Sequence, residues 1–321
     1  MFSYYLKESK EIKDLLIEIE ALKIVFDQTK ILPEVEENIR RRSLLKSSLY
    51  SARIEGNSLT LKDLHNLNST QAQNIEVQNL FSAYNYVYHS NKNRDLDLEL
   101  IRNLHSQVLK NLSSSAGKFR QEPWGIFNES GFPVYLAPAF FELPRLMEEY
   151  VVNVNHLNYH PCINSAIAQF AFEKIHPFAD GNGRVGRLIS VFMLKKPGFH
   201  FRGILPFEEY TDNHRQAYYY ALEPSRDVTE FVEYFLQSVA FAARAISSRM
   251  ASPQSTSPAL SLRRQEIFSL VFDHPHCSFD FIARRFPGVN HQTLHYDLKK
   301  LQTIGLIIKL GATRGALYRV K

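Results

Sequence analysis

The chain of 321 residues exceeds one compact core of ordinary size, since domains usually run about 100–200 residues, so two domains or more are expected. With 45% hydrophobic and 22% charged residues it is not a mainly disordered chain, and two widely separated cysteines, Cys162 and Cys277, exclude a disulfide framework or a thiolate zinc site. The net charge of +5 is uneven: residues 262–321 hold ten Lys or Arg against four acids, a net of +6, while the other 261 residues carry 28 basic and 29 acidic groups, a net of −1.

The opening MFSYYLKESKEIKD turns charged before a signal-peptide core could form, and no apolar run approaches the roughly 18 residues of a membrane span. A cytoplasmic chain with no membrane partner is expected. Apolar residues at i, i+3, i+4 spacing then predict helices over ILPEVEENIRRRSLLKSSLYSARIEG and LDLELIRNLHSQVLKNL. Residues Trp124 to Leu136, WGIFNESGFPVYL, break the pattern with two short β-prone runs around Glu129-Ser130-Gly131, a hairpin whose second arm Pro133 confines to an exposed edge. Helical spacing resumes in LPRLMEEYVVNVNHL, NSAIAQFAFEKI, RVGRLISVFMLKK, NHRQAYYYAL and VTEFVEYFLQSVAFAARAI. Residues 247–261, SSRMASPQSTSPALS, are a Ser/Pro-rich linker. After it come three short helices and a hairpin with Gly311 and Gly315 in its turn region, Asn290 being placed to cap the third helix.

Chemistry concentrates in HPFADGNGRVGR, His176 to Arg187. Pro177 stops the preceding helix, and a second helix starts near Gly183 or Arg184. Gly181 and Gly183 let successive N–H groups turn inward, and the new helix adds its positive end, a combination suited to phosphate oxygens. Arg184 and Arg187, three apart, share a face where guanidinium forks bind further phosphates. His176 is a candidate base near neutral pH, and Asp180 a hard oxygen ligand suited to Mg²⁺. A dinucleotide fingerprint formally matches residues 181–186, but a helix ending in His-Pro precedes it in place of a strand, and no acid follows about 20 residues later. An EF-hand starting at Asp180 fails as well, with Arg184 and Val191 at ligand positions.

The segment resembles in full the Fic (filamentation-induced-by-cAMP) signature, H-x-F-x-D/E-G-N-G-R-x-x-R, and the resemblance extends over most of residues 30–245, including Gly117-Lys118-Phe119-Arg120, the hairpin, Tyr135 to Pro138, and Asn213-His214-Arg215. It implies a mainly α fold, a helical core with a β-hairpin flap, and transfer of AMP from ATP to a Tyr, Thr or Ser hydroxyl of a protein. His176 is then the general base. Asp180 holds Mg²⁺, Gly181, Asn182 and Gly183 stabilise charge on the α-phosphate, and Arg184 and Arg187 hold the β- and γ-phosphates. Gly131 and Phe132 border the nucleotide, Asn213 sits near the adenine, and an extended target segment pairs with the hairpin's free edge. Tyr218 to Tyr220 are read as core in preference to self-modification sites.

Ser51-Ala52-Arg53-Ile54-Glu55-Gly56 matches the family's inhibitory motif, S/T-x-x-x-E-G/N, here on the N-terminal side of the loop. The expectation is that Glu55 pairs with Arg187 and excludes productive ATP; orienting water to remove AMP from a target is a second role that the residues leave open. The expected organisation is therefore residues 1–110 as a helical region with an inhibitory helix over about 40–56, a catalytic core over 111–246, the linker, and residues 262–321. This last part resembles a winged helix-turn-helix, with 290–303 as recognition helix and 305–320 as wing. Gln292, Thr293 and His295 would face base edges, while Arg284, Arg285, Lys299, Lys300, Arg314 and Arg319 would meet phosphates. Winged helices also mediate protein contacts and homodimers, so DNA and a second copy both stand as partners, and a nucleotide-sensing transcription regulator is the alternative to the enzyme.

Overall fold

A computed structural model gives the fold and describes residues 4–31, 33–66, 71–91, 93–127, 130–203, 205–223, 225–251, 262–311 and 315–320. Helices dominate, with two small antiparallel sheets. The chain divides into two compact units, Met1–Lys30 with Ile39–Arg249, and Ile31–Asn38 with Met250–Lys321. No helix among the described residues is long and apolar enough to cross a membrane.

The first unit begins with α1 (Lys10–Gln28), α2 (Pro33–Ile54) from Ile39 onward, α3 (Ala72–His89) and α4 (Leu98–Val108). Helices α1 and α3 were not among those expected from the spacing. Yet Ser9 caps α1 by accepting from the Ile12 N–H, and Ile12, Leu15, Ile19 and Phe26 form its buried stripe, a signal present in the sequence. Next come β1 (Gly125–Phe127) and β2 (Pro133–Leu136), then α5 (Leu143–Asn155), α6 (Pro161–Ile175), α7 (Asn182–Lys195), α8 (Glu208–Asn213), α9 (Arg215–Ala221) and α10 (Thr229–Ala251).

Helix α6 is the centre of this unit. Pro161 opens it, where a missing N–H costs nothing, and Ala166, Ala168, Phe170, Ala171 and Phe172 bury it on nearly every side. Helix α7 packs along it, with Val185, Leu188 and Ile189 fully buried. Each large side chain so buried stabilises the fold by roughly 1.5–3 kcal/mol. Polar ties fix the pair: Ser165 donates to the Ser190 carbonyl, and Ser190 donates to Gln169. The short connection between α6 and α7 is thereby held between two rigid helices.

The hairpin forms as expected, pairing Gly125 with Leu136 and Ile126 with Tyr135, with a register shift before Phe127. Only glycine fits at 125, because a Cβ there would lie 2.8 Å from the Tyr135 carbonyl. Asn128 and Glu129 of its turn lie outside the described residues. Tyr135 anchors the hairpin by donating to the Lys174 carbonyl. The core expectation holds for Tyr218, which is buried; Tyr219 and Tyr220 are 52% and 62% exposed, because α9 presents only one narrow face inward.

The second unit contains α11 (Leu262–Asp273), β3 (Cys277–Ser278), α12 (Phe279–Arg284), α13 (His291–Thr303), β4 (Ile307–Leu310) and β5 (Leu317–Val320), with sheet order β3-β5-β4. Strand β3, two residues long, was too short to read from sequence. Ile267, Val271, Ile282, Leu294, Leu298 and Leu301 form its core. Asn290 caps α13, accepting from the Gln292 N–H. Asp297 is fully buried and pairs with Arg263 and Arg264, so two of the unit's cations are internal counter-charges. Residues 252–261 of the linker and Arg314 lie outside the described residues.

Candidate active site

The α6–α7 connection starts with backbone that few side chains adopt. His176 ends α6 in the left-handed region (φ 50°, ψ 60°), its N–H still bonded to the Phe172 carbonyl. Arg120 holds this conformation: its Nε donates to the His176 carbonyl (2.8 Å), while its Nη1 and Nη2 donate to the Glu122 and Pro138 carbonyls on either side of the hairpin. One buried guanidinium thus ties the candidate base to the flap.

The indole of Trp124 stacks on the His176 ring, centroids 3.5 Å apart. Burial lowers the His176 pKa to about 4, opposed in part by the hydrogen bond to the Glu173 carbonyl, while the nearby Arg120 charge adds a smaller push downward. The imidazole is therefore neutral at pH 7, with Nδ1 3.3 Å from the Glu173 carbonyl. Trp124 has no part in the sequence reading beyond opening the hairpin segment.

Gly181 takes φ 82°, turning the chain into α7. Both ends of the Asn182 amide are engaged by Phe178, Oδ1 accepting from its N–H (3.0 Å) and Nδ2 donating to its carbonyl (2.8 Å). Asn182 thus closes the loop, a role the sequence reading did not assign. His105 of α4, also unforeseen, supports it from below. Its Nε2 donates to the Asp180 carbonyl (3.0 Å), its Nδ1 accepts from the Gly117 N–H (2.8 Å), and its ring stacks on Phe178. Burial lowers its pKa to about 4, consistent with one nitrogen donating and the other accepting.

Both loop arginines are occupied by carboxylates. Arg187, 1% exposed, donates from Nη2 to Glu55 Oε1 (2.8 Å) and to the Ser51 carbonyl (2.9 Å), and from Nε to Ser51 Oγ (2.9 Å). A Cβ on Gly183 would lie 2.3 Å from Glu55 Oε1, so this carboxylate rests directly on the loop. Arg184 pairs with Asp180 (2.6 Å) and with Glu76 of α3 (2.5 Å). Glu173, on α6, is pushed up to about 7 by burial and by the Glu55 charge, and its Oε1 has no hydrogen-bond partner among the described residues. Gly186 is explained by this carboxylate, since a Cβ there would lie 3.0 Å from Glu173 Oε1.

Ser51, Glu55, Asp180, Gly181, Asn182, Gly183, Arg184 and Arg187 are therefore brought together, with His176 at the far end of the same loop. Gly131 and Phe132 lie in the exposed hairpin turn, and Asn213 is exposed at the end of α8. On α13, Gln292, His295, Lys299 and Lys300 are exposed and Thr293 is half-buried, while the His295 ring stacks on Phe279.

Residues 95–194, which include the whole loop, match the Fic/DOC family model. Over these residues the chain is similar to the Fic/DOC family. It is 26% identical over 231 residues to a protein adenylyltransferase Fic of Aedes aegypti, covering 67% of this chain and 43% of that protein. The corresponding Drosophila melanogaster protein is 26% identical over 210 residues, covering 61% of this chain and 40% of its own length. The chain thus spans about two fifths of the curated relatives that it matches. Among solved structures, a Fic family protein from Desulfovibrio desulfuricans superposes with a TM-score of 0.67 at 23% identity, covering 98% of this chain and 97% of that one. A fragment of C. elegans Fic-1 gives 0.58 at 22% identity, covering 74% and 70%. The fold around the Fic loop is shared; Glu55 and Asn213 lie outside the matched residues.

Proposed function

We propose that this Fic-domain chain is a protein adenylyltransferase held inactive by Glu55. The observation that carries the proposal is the arrangement of the loop, with a neutral imidazole at one end and, at the other, two arginines and Gly183 under a carboxylate that a phosphate would replace. A Tyr, Thr or Ser hydroxyl oxygen attacks the α-phosphorus of ATP, a new P–O bond forms, the bond to the bridging oxygen breaks, and pyrophosphate leaves with that electron pair. His176 takes the hydroxyl proton. The N–H groups around Gly181 and Gly183 and the start of α7 stabilise charge on the phosphate oxygens. Arg184 and Arg187 orient the β- and γ-phosphates, and Gly131, Phe132 and Asn213 border the nucleotide.

The residues present fit a Mg²⁺ ion arriving with ATP. Asp180 is 66% exposed at the loop and uses Oδ1 for the Gly181 N–H and Arg184, and one carboxylate plus phosphates and water is the usual Mg²⁺ set. When bound, the ion would neutralise phosphate charge; Asp180 would hold it.

The flap supports docking of an extended target segment. Ile126, Phe127, Phe132, Val134 and Leu136 are exposed on a hairpin whose two strands pair only with each other among the described residues, a surface suited to strand addition. Mass spectrometry of a lysate incubated with the Glu55→Gly protein and ATP tests the proposal: adenylylated Tyr, Thr or Ser peptides are the expected result. Loss of activity on acidification is a second check. Protonated His176 cannot act as base, and its lowered pKa means that kcat/KM of Glu55→Gly should stay level from pH 8 to about 5.5 and fall only on approach to about 4. A midpoint at 6.5 or above would mean a solvated imidazole.

For residues 262–321 we propose a winged helix-turn-helix with α13 as recognition helix. The succession of three helices with a three-stranded sheet supports it, as do Lys299 and Lys300 on the exposed side of α13. Affinity for duplex DNA should fall with salt at a slope of about 0.9 per neutralised phosphate, so replacing Lys299 and Lys300 by alanine should reduce the slope by about two. An unaltered slope in anisotropy titrations removes α13 from the DNA face.

A further inference from the structure

The pair formed by Arg187 and Glu55 leaves unexplained why the other loop arginine is also neutralised. Arg184 is buried, and its Nη1 donates to Glu76 Oε1 at 2.5 Å. Its Nε is buried with no hydrogen-bond partner among the described residues, so Glu76 and Asp180 do not satisfy the guanidinium. Glu76 is itself gripped by a second group: Asn57 Nδ2 donates to Glu76 Oε2 (2.9 Å) and to the Gln73 carbonyl (3.0 Å). Neither Glu76 nor Asn57 belongs to the loop or to the Ser51–Gly56 motif.

The connection between the two arginines is one turn of chain. After Ile54 the backbone folds back, with the N–H of Glu55 and that of Asn57 both bonded to the Ala52 carbonyl and Gly56 at φ 100°. That turn carries Glu55 to Arg187 and, two residues later, Asn57 to Glu76 and thereby to Arg184. A bound polyphosphate needs both guanidinium groups. Glu76 opposes this at Arg184 as Glu55 does at Arg187, because each holds a charge-assisted hydrogen bond that phosphate oxygens must displace.

We infer that Glu76 is a positioning residue that restrains Arg184, and that Asn57 couples this restraint to the Glu55 turn, so that a single displacement of the turn frees both arginines for a nucleoside triphosphate. The inference rests on the nucleotide-transfer reading of the site but concerns binding alone. Asn57 and Glu76 thus act on ATP through Arg184 and touch no reacting atom.

Calorimetric titration of ATP with Mg²⁺ into the full chain tests it. Glu76→Gln, which keeps the shape and removes the charge, should tighten ATP at least about fivefold, and Asn57→Ala should do so in the same direction. Both gains should vanish in an Arg184→Ala background, and the Asn57→Ala gain should shrink when Glu55→Gly has already freed the turn. Unchanged or weaker ATP binding by folded Glu76→Gln overturns the inference, as does a gain that survives Arg184→Ala. Thermal melts establish folding, and Asn57→Ala carries the test if Glu76→Gln does not fold. Failure here leaves transfer by Glu55→Gly untouched, whereas absence of that transfer with ATP still bound counts against the adenylyltransferase proposal alone.

Discussion

Replacing Glu55 by glycine is expected to raise transfer of the adenylyl group at least about tenfold, equivalent to about 1.4 kcal/mol of removed restraint. The Glu55 carboxylate lies 2.8 Å from Arg187 and would collide with any atom beyond Cα on Gly183, so a phosphate oxygen and this carboxylate cannot share the loop. Deleting the side chain clears that volume. Arg187 keeps its Ser51 contacts and therefore its direction. Stability should move the other way. Removing one partner of a buried ion pair costs roughly 3–5 kcal/mol, and with Glu55 about one-third exposed a discounted loss of about 1–2 kcal/mol is expected. Melting of Glu55→Gly should thus start several degrees lower than wild type and recover with ATP and Mg²⁺, whose phosphates replace the missing anion. Unaltered transfer by a folded Glu55→Gly protein would remove Glu55 from any inhibitory role.

His176→Ala in the Glu55→Gly background should reduce transfer by roughly 10²–10⁴, the usual contribution of a positioned base. Its ATP affinity should be unchanged, because in the proposed arrangement the loop and the arginines at the other end would hold the nucleotide. A drop in turnover without a change in binding is the signature of a group acting only in the reaction. Histidine already carries a Cβ at a φ of 50°, so alanine there adds no backbone strain and loses only the stack on Trp124. Melting should accordingly fall modestly, and a measured ATP affinity separates lost chemistry from lost fold. A variant that transfers at the parental rate would place the base elsewhere.

The loop was legible in the sequence because its requirements are local. A Pro that ends a helix, glycines for left-handed backbone and arginines one turn into the next helix all lie within twelve residues. Glu55 was legible only because its motif accompanies that loop, since Ser and Glu four apart before Gly is also an ordinary helix end. Trp124, His105, Glu76 and Asn57 were not. Each reaches the site from a distant element, and nothing local separates Glu76 from any other acid on a helix. The same limit explains Asn182, which was assigned to phosphate as part of the signature but whose amide closes on Phe178. Helix α1 is a different case, since Ser9 and its apolar stripe mark it clearly, whereas the two-residue β3 carries no pattern that sequence periodicity can register.

The central claim is that the loop directs a hydroxyl to the α-phosphorus. Parallel reactions of Glu55→Gly with ATP labelled at the α- or the γ-phosphate, using a lysate as acceptor, test it most directly. The account predicts protein-bound label from α-labelled ATP, none from γ-labelled ATP, and loss of the α signal when His176→Ala is added. Label arriving from the γ-phosphate, or from neither while ATP is bound, would contradict it.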